Sequence, residues 1–142
     1  MSNGLTSIGP PWSQITAYDL NTGTIKWQIP DGSVTALAEQ GHGDTGDLAP
    51  RGGIVATASG QLFIATASDR KFRAYDQDSR HLLWEKDLPA GAEGVPAVYE
   101  IAGREYIVLC AAAGDASIHI DTGKPSVPPG PGSYVVFALP RK

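Results

Sequence analysis

The sequence predicts an all-β fold, a fragment of a β-propeller made of antiparallel four-stranded blades, and three observations carry that reading. A motif is written twice, Ala17-Tyr18-Asp19 with Gly23 and Trp27, then Ala74-Tyr75-Asp76 with Trp84; each tryptophan lies ten residues after its alanine, and the copies are 57 residues apart. A repeat of that size buries its apolar face only against its neighbours, which points to stacked or radial units. Seventeen glycines and eleven prolines impose frequent tight turns and leave little room for long helices. Between these turns the apolar residues fall in short β-branched and aromatic runs, with almost no helical spacing.

Gln14–Leu20 and Thr24–Ile29 read as strands joined at the tight turn Asn21-Thr22-Gly23. By motif they match the third and fourth strands of a blade, so residues 1–30 are expected to form the last two strands of an incomplete blade and 31–52 an inter-blade loop. One complete blade is expected over 53–90, from Gly53–Thr57, Gln61–Ala67, Phe72–Asp76 and His81–Leu88. Its turns are Ser59-Gly60, Ser68-Asp69-Arg70 and Asp78-Ser79-Arg80. Arg80 stands where the first copy has a glycine, which implies an altered turn geometry. Residues 91–142 are expected to hold three strands of a final incomplete blade, Val95–Glu100, Glu105–Ala111 and Tyr134–Leu139, with a long Pro/Gly loop at 115–132. Tyr134-Val135-Val136-Phe137 aligns with Phe72-Arg73-Ala74-Tyr75, which makes it a third strand. The chain is thus expected to start and stop in mid-blade. Open blade edges of this kind recruit the rest of a propeller or another copy of the same chain.

Composition excludes some partners. A formal net charge of −4 and the lack of any basic run argue against nucleic acid and anionic membranes, both of which call for clustered Lys and Arg. The longest apolar stretch, Tyr106 to Ala113, is too short to cross a bilayer. The N-terminus lacks the charged and apolar regions of a signal peptide, so any export signal would lie elsewhere. The single Cys110 has no internal disulfide partner and, in a strand-like run, reads as a buried thiol.

Several segments together resemble the pyrroloquinoline-quinone (PQQ) dependent dehydrogenases, specifically the C-terminal part of the membrane glucose dehydrogenase type. They are Pro10-Pro11-Trp12, the run Ile15–Gly23 with Trp27, Gly52-Gly53, Thr57-Ala58, Leu62-Phe63-Ile64 with Thr66, Asp69, and Phe72–Asp76. Trp84, Leu88-Pro89-Ala90-Gly91, Pro96, Tyr99, Gly103, Tyr106-Ile107-Val108 and the ending Val136–Pro140 continue the likeness over nearly the whole chain. The resemblance implies an eight-bladed propeller with PQQ on its axis and calcium bridging quinone and protein. It also implies that Trp27 and Trp84 dock each blade against the next. An upstream aspartate would serve as general base on a sugar or alcohol, with hydride passing to the quinone. That base and the main calcium ligands belong to upstream blades, so this chain is expected to carry no catalytic residue or metal ligand and to hold neither cofactor tightly. The family's glycine-rich stretch beside the quinone corresponds to Ala111-Ala112-Ala113-Gly114, which nominates Ala112, Ala113 and Gly114 as cofactor-lining. An ordinary tight strand exit is the alternative for these three residues. A periplasmic location is implied by the family alone.

Other chemistry has weaker signals. Asp-Thr-Gly occurs at 44–46 and 121–123, and paired triplets could form an aspartic protease dyad. Neither has the flanking apolar strands that bury such a dyad. His42, Asp44 and Asp47, or His119 and Asp121, lack the dense ligand rhythm of a calcium loop and read as solvated acidic loops. A non-enzymatic propeller scaffold for protein contacts stays open as a second reading, because docking repeats report packing and not chemistry.

Overall fold

The computed structural model describes Leu5 and residues 7–48, 50–113 and 131–140. Nine strands and one helical turn are formed by these residues. Strands β1 (Gln14–Asp19) and β2 (Thr24–Pro30) make a two-stranded sheet. Helix α1 (Thr35–Ala38) follows, then a four-stranded meander of β3 (Ile54–Ala56), β4 (Gln61–Ala65), β5 (Lys71–Asp76) and β6 (Leu82–Asp87). The third sheet holds β7 (Gly91–Ile101), β8 (Arg104–Ala113) and β9 (Ser133–Ala138), in that order. Every pairing within the sheets is antiparallel.

The ten-residue spacing of the motif has a direct structural cause. Ala17 pairs across the hairpin with Trp27, and Ala74 pairs with Trp84. In each case the register then slips by one residue, so that Tyr18 faces Ile25 and Tyr75 faces Leu82. The extra residue is a β-bulge, which sharpens the local twist and re-aims the neighbouring side chains.

The turn that closes each hairpin corrects one expectation. Arg80 does not alter it: Gly23 has φ 69° and Arg80 φ 61°. Their amides make the same bond, Gly23 N to Asp19 O at 2.8 Å and Arg80 N to Asp76 O at 2.9 Å. Arginine is held in the left-handed region because the pairing on either side fixes the turn, and its Cβ bears a strain that glycine avoids. Asp76 helps to hold it there by accepting from the Ser79 amide and hydroxyl, both at 2.7 Å.

The three sheets pack face to face in chain order, as the alternation of side chains along each strand dictates. On β4 and β5, Leu62, Ile64 and Tyr75 point one way and join Ile15 and Trp27 of the first sheet. Phe63, Ala65, Phe72 and Ala74 point the other way and join Ile107 and Leu109 of the third, with Val135 and Phe137 packed against them. The middle sheet is therefore apolar on both faces, and Phe72, wholly buried, contacts the rings of Phe63, Trp84 and Phe137. Glycine allows the two inner strands to meet: Gly52 and Gly94 form a parallel bridge, and Gly53 N donates to Gly94 O at 2.9 Å. A Cβ on Gly52 would strike the Ala65 carbonyl, and one on Gly53 the Val95 side chain.

Cys110 is half-buried, a departure from the buried thiol expected. Leu109 and Ala111 occupy the packed positions on β8, and alternation turns Cys110 to the outer face, opposite Tyr134. No helix among the described residues is long and apolar enough to cross a membrane.

Candidate functional site

Two groups of residues share one rim of the stacked sheets. The parallel bridge between Gly52 and Gly94 sets β3 and β7 running the same way, so β4 and β8, each antiparallel to its predecessor, also run together. Their C-terminal ends, Ala65 and Ala113, therefore reach the same rim. The β4–β5 turn, the crossover from β2 to β3 and the exit of β8 all lie there.

The β8 exit carries the residues that sequence reasoning nominated. Gly91 pairs with Ala113 and Ala92 with Ala111, which leaves Ala112 as the extra residue of a bulge. Ala112 is half-buried, and a Cβ on Gly132 would lie 3.0 Å from its own. The backbone can approach this closely only because both side chains are small. Gly114 lies outside the described residues, as do 115–130 of the Pro/Gly loop and the second Asp-Thr-Gly triplet. In the first triplet Asp44 is exposed with φ 55°, whereas Thr45 is buried and gives the Val34 amide an acceptor at 2.8 Å.

The second group was not foreseen as a unit. Asp31, Thr45, Asp47, Thr66 and Arg73 are all buried. Asp47 accepts from the Ala67 amide at 2.8 Å and the Ser68 hydroxyl at 2.5 Å, and Asp69 accepts from the Ser33 amide at 3.1 Å. These bonds fasten the crossover to the β4–β5 turn. Arg73 Nη2 donates to Asp69 Oδ2 at 2.5 Å, Nη1 to Thr66 Oγ1 at 2.9 Å and Nε to Glu85 Oε2 at 2.8 Å. Lys71 also pairs with Glu85. Burial works against the Arg73 charge, but the bond and charge of Asp69 more than compensate and raise its pKa. Burial likewise opposes the Glu85 charge, and the Lys71 bond with the nearby Arg73 charge overcomes it, so its pKa is lowered. Asp31 behaves in the opposite sense: burial first, then the neighbouring Asp47 carboxylate, push it up to about 6. The residue types were visible in the sequence, but nothing in their spacing joins position 31 to 47, 69 and 73.

Only part of a quinone–calcium centre fits these residues. The bulged Ala112 beside Gly132 suits close backbone approach to a flat ring. Among the described residues, however, no group of three or more His, Cys, Asp or Glu side chains could hold a metal ion. His42 and Asp44 are exposed while Asp47 is buried against Ala67 and Ser68, so these three do not converge either.

Antiparallel sheets stacked face to face, with an indole crossing each junction, define a β-propeller. The chain belongs to the family described as PQQ: glucose/ethanol/alcohol dehydrogenase, β-propeller domain, whose model matches residues 1–107. It is 33% identical over 112 residues to quinoprotein glucose dehydrogenase of Escherichia coli (strain K12), an alignment that takes in 76% of the chain and 14% of that relative. It is 35% identical over 114 residues to the glycerol dehydrogenase large subunit of Gluconobacter oxydans (strain 621H), with 76% and 15% covered. A probable quinate dehydrogenase (quinone) of Xanthomonas campestris pv. juglandis is 30% identical over 152 residues, with 96% and 17% covered. Among solved structures, the quinohemoprotein alcohol dehydrogenase from Comamonas testosteroni matches 91% of the chain and 17% of its own, with a TM-score of 0.60 and 21% identity. A europium-containing methanol dehydrogenase matches 89% and 23%, with a TM-score of 0.62 and 21% identity. The chain thus spans about a sixth of the curated relatives it matches.

Proposed function

We propose that this chain is the C-terminal propeller portion of a PQQ-dependent dehydrogenase that oxidises a sugar or other alcohol in the periplasm. Its share of the work is to build part of the ring and to wall the cofactor cavity. The first sheet with residues 1–30 supplies the last two strands of one blade, 31–52 the link, 53–90 a full blade, and 91–142 three strands of another. The single observation that supports this most is the pair of inter-sheet junctions, in which the same motif position on β2 and β6 carries an indole onto the next sheet.

On this reading Ala112, Ala113 and Gly114 would line the quinone, where small residues would let the backbone come close to the ring. The redox chemistry itself, transfer of hydride from an alcohol carbon to the quinone, is the cofactor's. The residues described here contribute shape and rigidity to it. The base and the metal ligands come from other parts of the complete enzyme, and the isolated chain is silent.

Dye-linked glucose oxidation tests the reading directly. The 142-residue chain supplied with PQQ and calcium is expected to reduce no dye, and steady turnover would overturn the division of labour. Absorbance titration with PQQ separates the enzyme reading from a scaffold: a weak spectral shift that Ala112→Trp removes supports cofactor lining. A shift of equal size in the variant, or none in either protein, favours the scaffold.

A further inference from the structure

The buried polar cluster between the crossover and the β4–β5 turn holds more negative than positive charge. Asp31, Asp47 and Asp69 contribute carboxylates to it, and Arg73 contributes a guanidinium. Arg73 is committed to Asp69, Thr66 and Glu85. Asp47 has its oxygens occupied by Ala67 and Ser68. Asp31 is treated differently. It is 7% exposed, and its Oδ1, fully buried, has no hydrogen-bond partner among the described residues.

The position of Asp31 makes this consequential. Its amide donates to Ser13 O at 3.1 Å, and its carbonyl accepts from Asp47 N at 2.7 Å. The next residue, Gly32, accepts from Gly46 N at 3.1 Å and lies so close to Asp69, Thr66 and Arg73 that a Cβ there would meet them at 3.0 to 3.2 Å. The start of the crossover, its return, and the β4–β5 turn are thus drawn together at one point. A carboxylate that is ionised with one oxygen unpartnered is costly in such a place, and a neutral carboxyl costs less.

We propose that Asp31 is a proton-linked latch: protonated, it lets the crossover close on the β4–β5 turn, and on losing its proton it loosens that contact between the first and second sheets. The groups that face it are Asp47 on the returning half of the crossover, Asp69 on the β4–β5 turn, and Arg73 and Tyr75 on β5. Two of the charges repel an Asp31 anion and one attracts it. The direction follows from linkage. An acid whose folded pKa lies above its unfolded value favours the closed state at low pH and loses that advantage as pH rises through the folded value. For Asp31 the window runs from the ordinary aspartate value of 3.8 to about 6. The inference is independent of any quinone chemistry.

Carbon-13 NMR of the side-chain carboxyls, with the Asp31 resonance assigned through its own backbone, reads the latch directly. All samples carry His42→Gln, so that Asp31 is followed without the imidazole of the same crossover. Asp31 is expected to titrate at least one pH unit above an ordinary aspartate, and Asp47→Asn to bring it down. Hydrogen exchange at the Gly46 and Asp47 amides, corrected for intrinsic base catalysis, is expected to speed up at least tenfold between pH 4 and 7 in the parent, and not in Asp31→Asn. A midpoint near 4, or the same acceleration in both proteins, overturns the proposal. Should Asp31→Asn fail to fold, an Asp31 midpoint unmoved by Asp47→Asn would do so.

Discussion

The indole of Trp84 meets the ring of Phe137 edge-on, with centroids 5.2 Å apart and planes at 78°, so β6 of the second sheet is pinned to β9 of the third. Trp27 does the same work one junction earlier, packing with Tyr75 and donating Nε1 to Gln77 O at 3.0 Å. The two junctions differ in cover. Beside β5 lies β6, and Trp27 is 7% exposed; β9 has no outer neighbour among the described residues, and Trp84 is 39% exposed. The acceptor differs as well. Leu139 O, at the place of Gln77 O in the repeat, is taken by Arg104 Nε at 2.8 Å.

That contrast predicts unequal costs of truncation. Trp27→Ala removes a buried indole and its hydrogen bond and is expected to cost about 3–5 kcal/mol. Trp84→Ala, already part-exposed, is expected to cost about 1–2 kcal/mol. Urea denaturation of both variants measures the difference, and equal losses would show that exposure does not govern these docking sites.

Arg80 offers a gain. Its left-handed φ strains a residue with a Cβ, and Arg80→Gly is expected to stabilise the protein by about 1 kcal/mol, after allowing for the extra freedom of glycine in the unfolded chain. A lower thermal midpoint in that variant would count against the strain argument.

Arg73 predicts an acid limb. Arg73→Met leaves Asp69, 6% exposed at its side chain, as a buried carboxylate without its cation, at a cost of about 3–5 kcal/mol. Glu85 has its pKa lowered below 4.5, so its contribution is present above that value and fades as pH falls through the folded one. Thermal melts from pH 5 down to 3 should show the parent losing stability more steeply than Arg73→Met; parallel curves would refute the linkage.

The edge at β9 predicts self-association. Leu139 N donates to Glu105 O, and alternation then turns the main-chain groups of Tyr134, Val136 and Ala138 outward, where the strand carries no charge to deter pairing. Light scattering of the 142-residue chain is expected to show mass rising with concentration, and Val136→Lys to reduce it. A monomer at every concentration would remove the basis for partner recruitment through this edge.

The nine strands and their hairpins were legible in the residue order, because each depends on local signals: alternation, a turn glycine, a tryptophan at fixed distance from an alanine. The short helix α1 was hidden in the crossover, since four residues carry too little periodicity to read. The nomination of Ala112 came from resemblance; that it occupies a bulge against Gly132 required the pairing of three strands.

By itself, then, the sequence determined the class of fold and the repeat, since both follow from contacts between residues near one another along the chain. The tertiary structure alone decided that Cys110 would face outward and that Asp31, Asp47, Asp69 and Arg73 would share one buried volume. Those outcomes depend on which sheet packs against which face. The competing costs of strain, burial and unpaired charge are set only when distant segments meet.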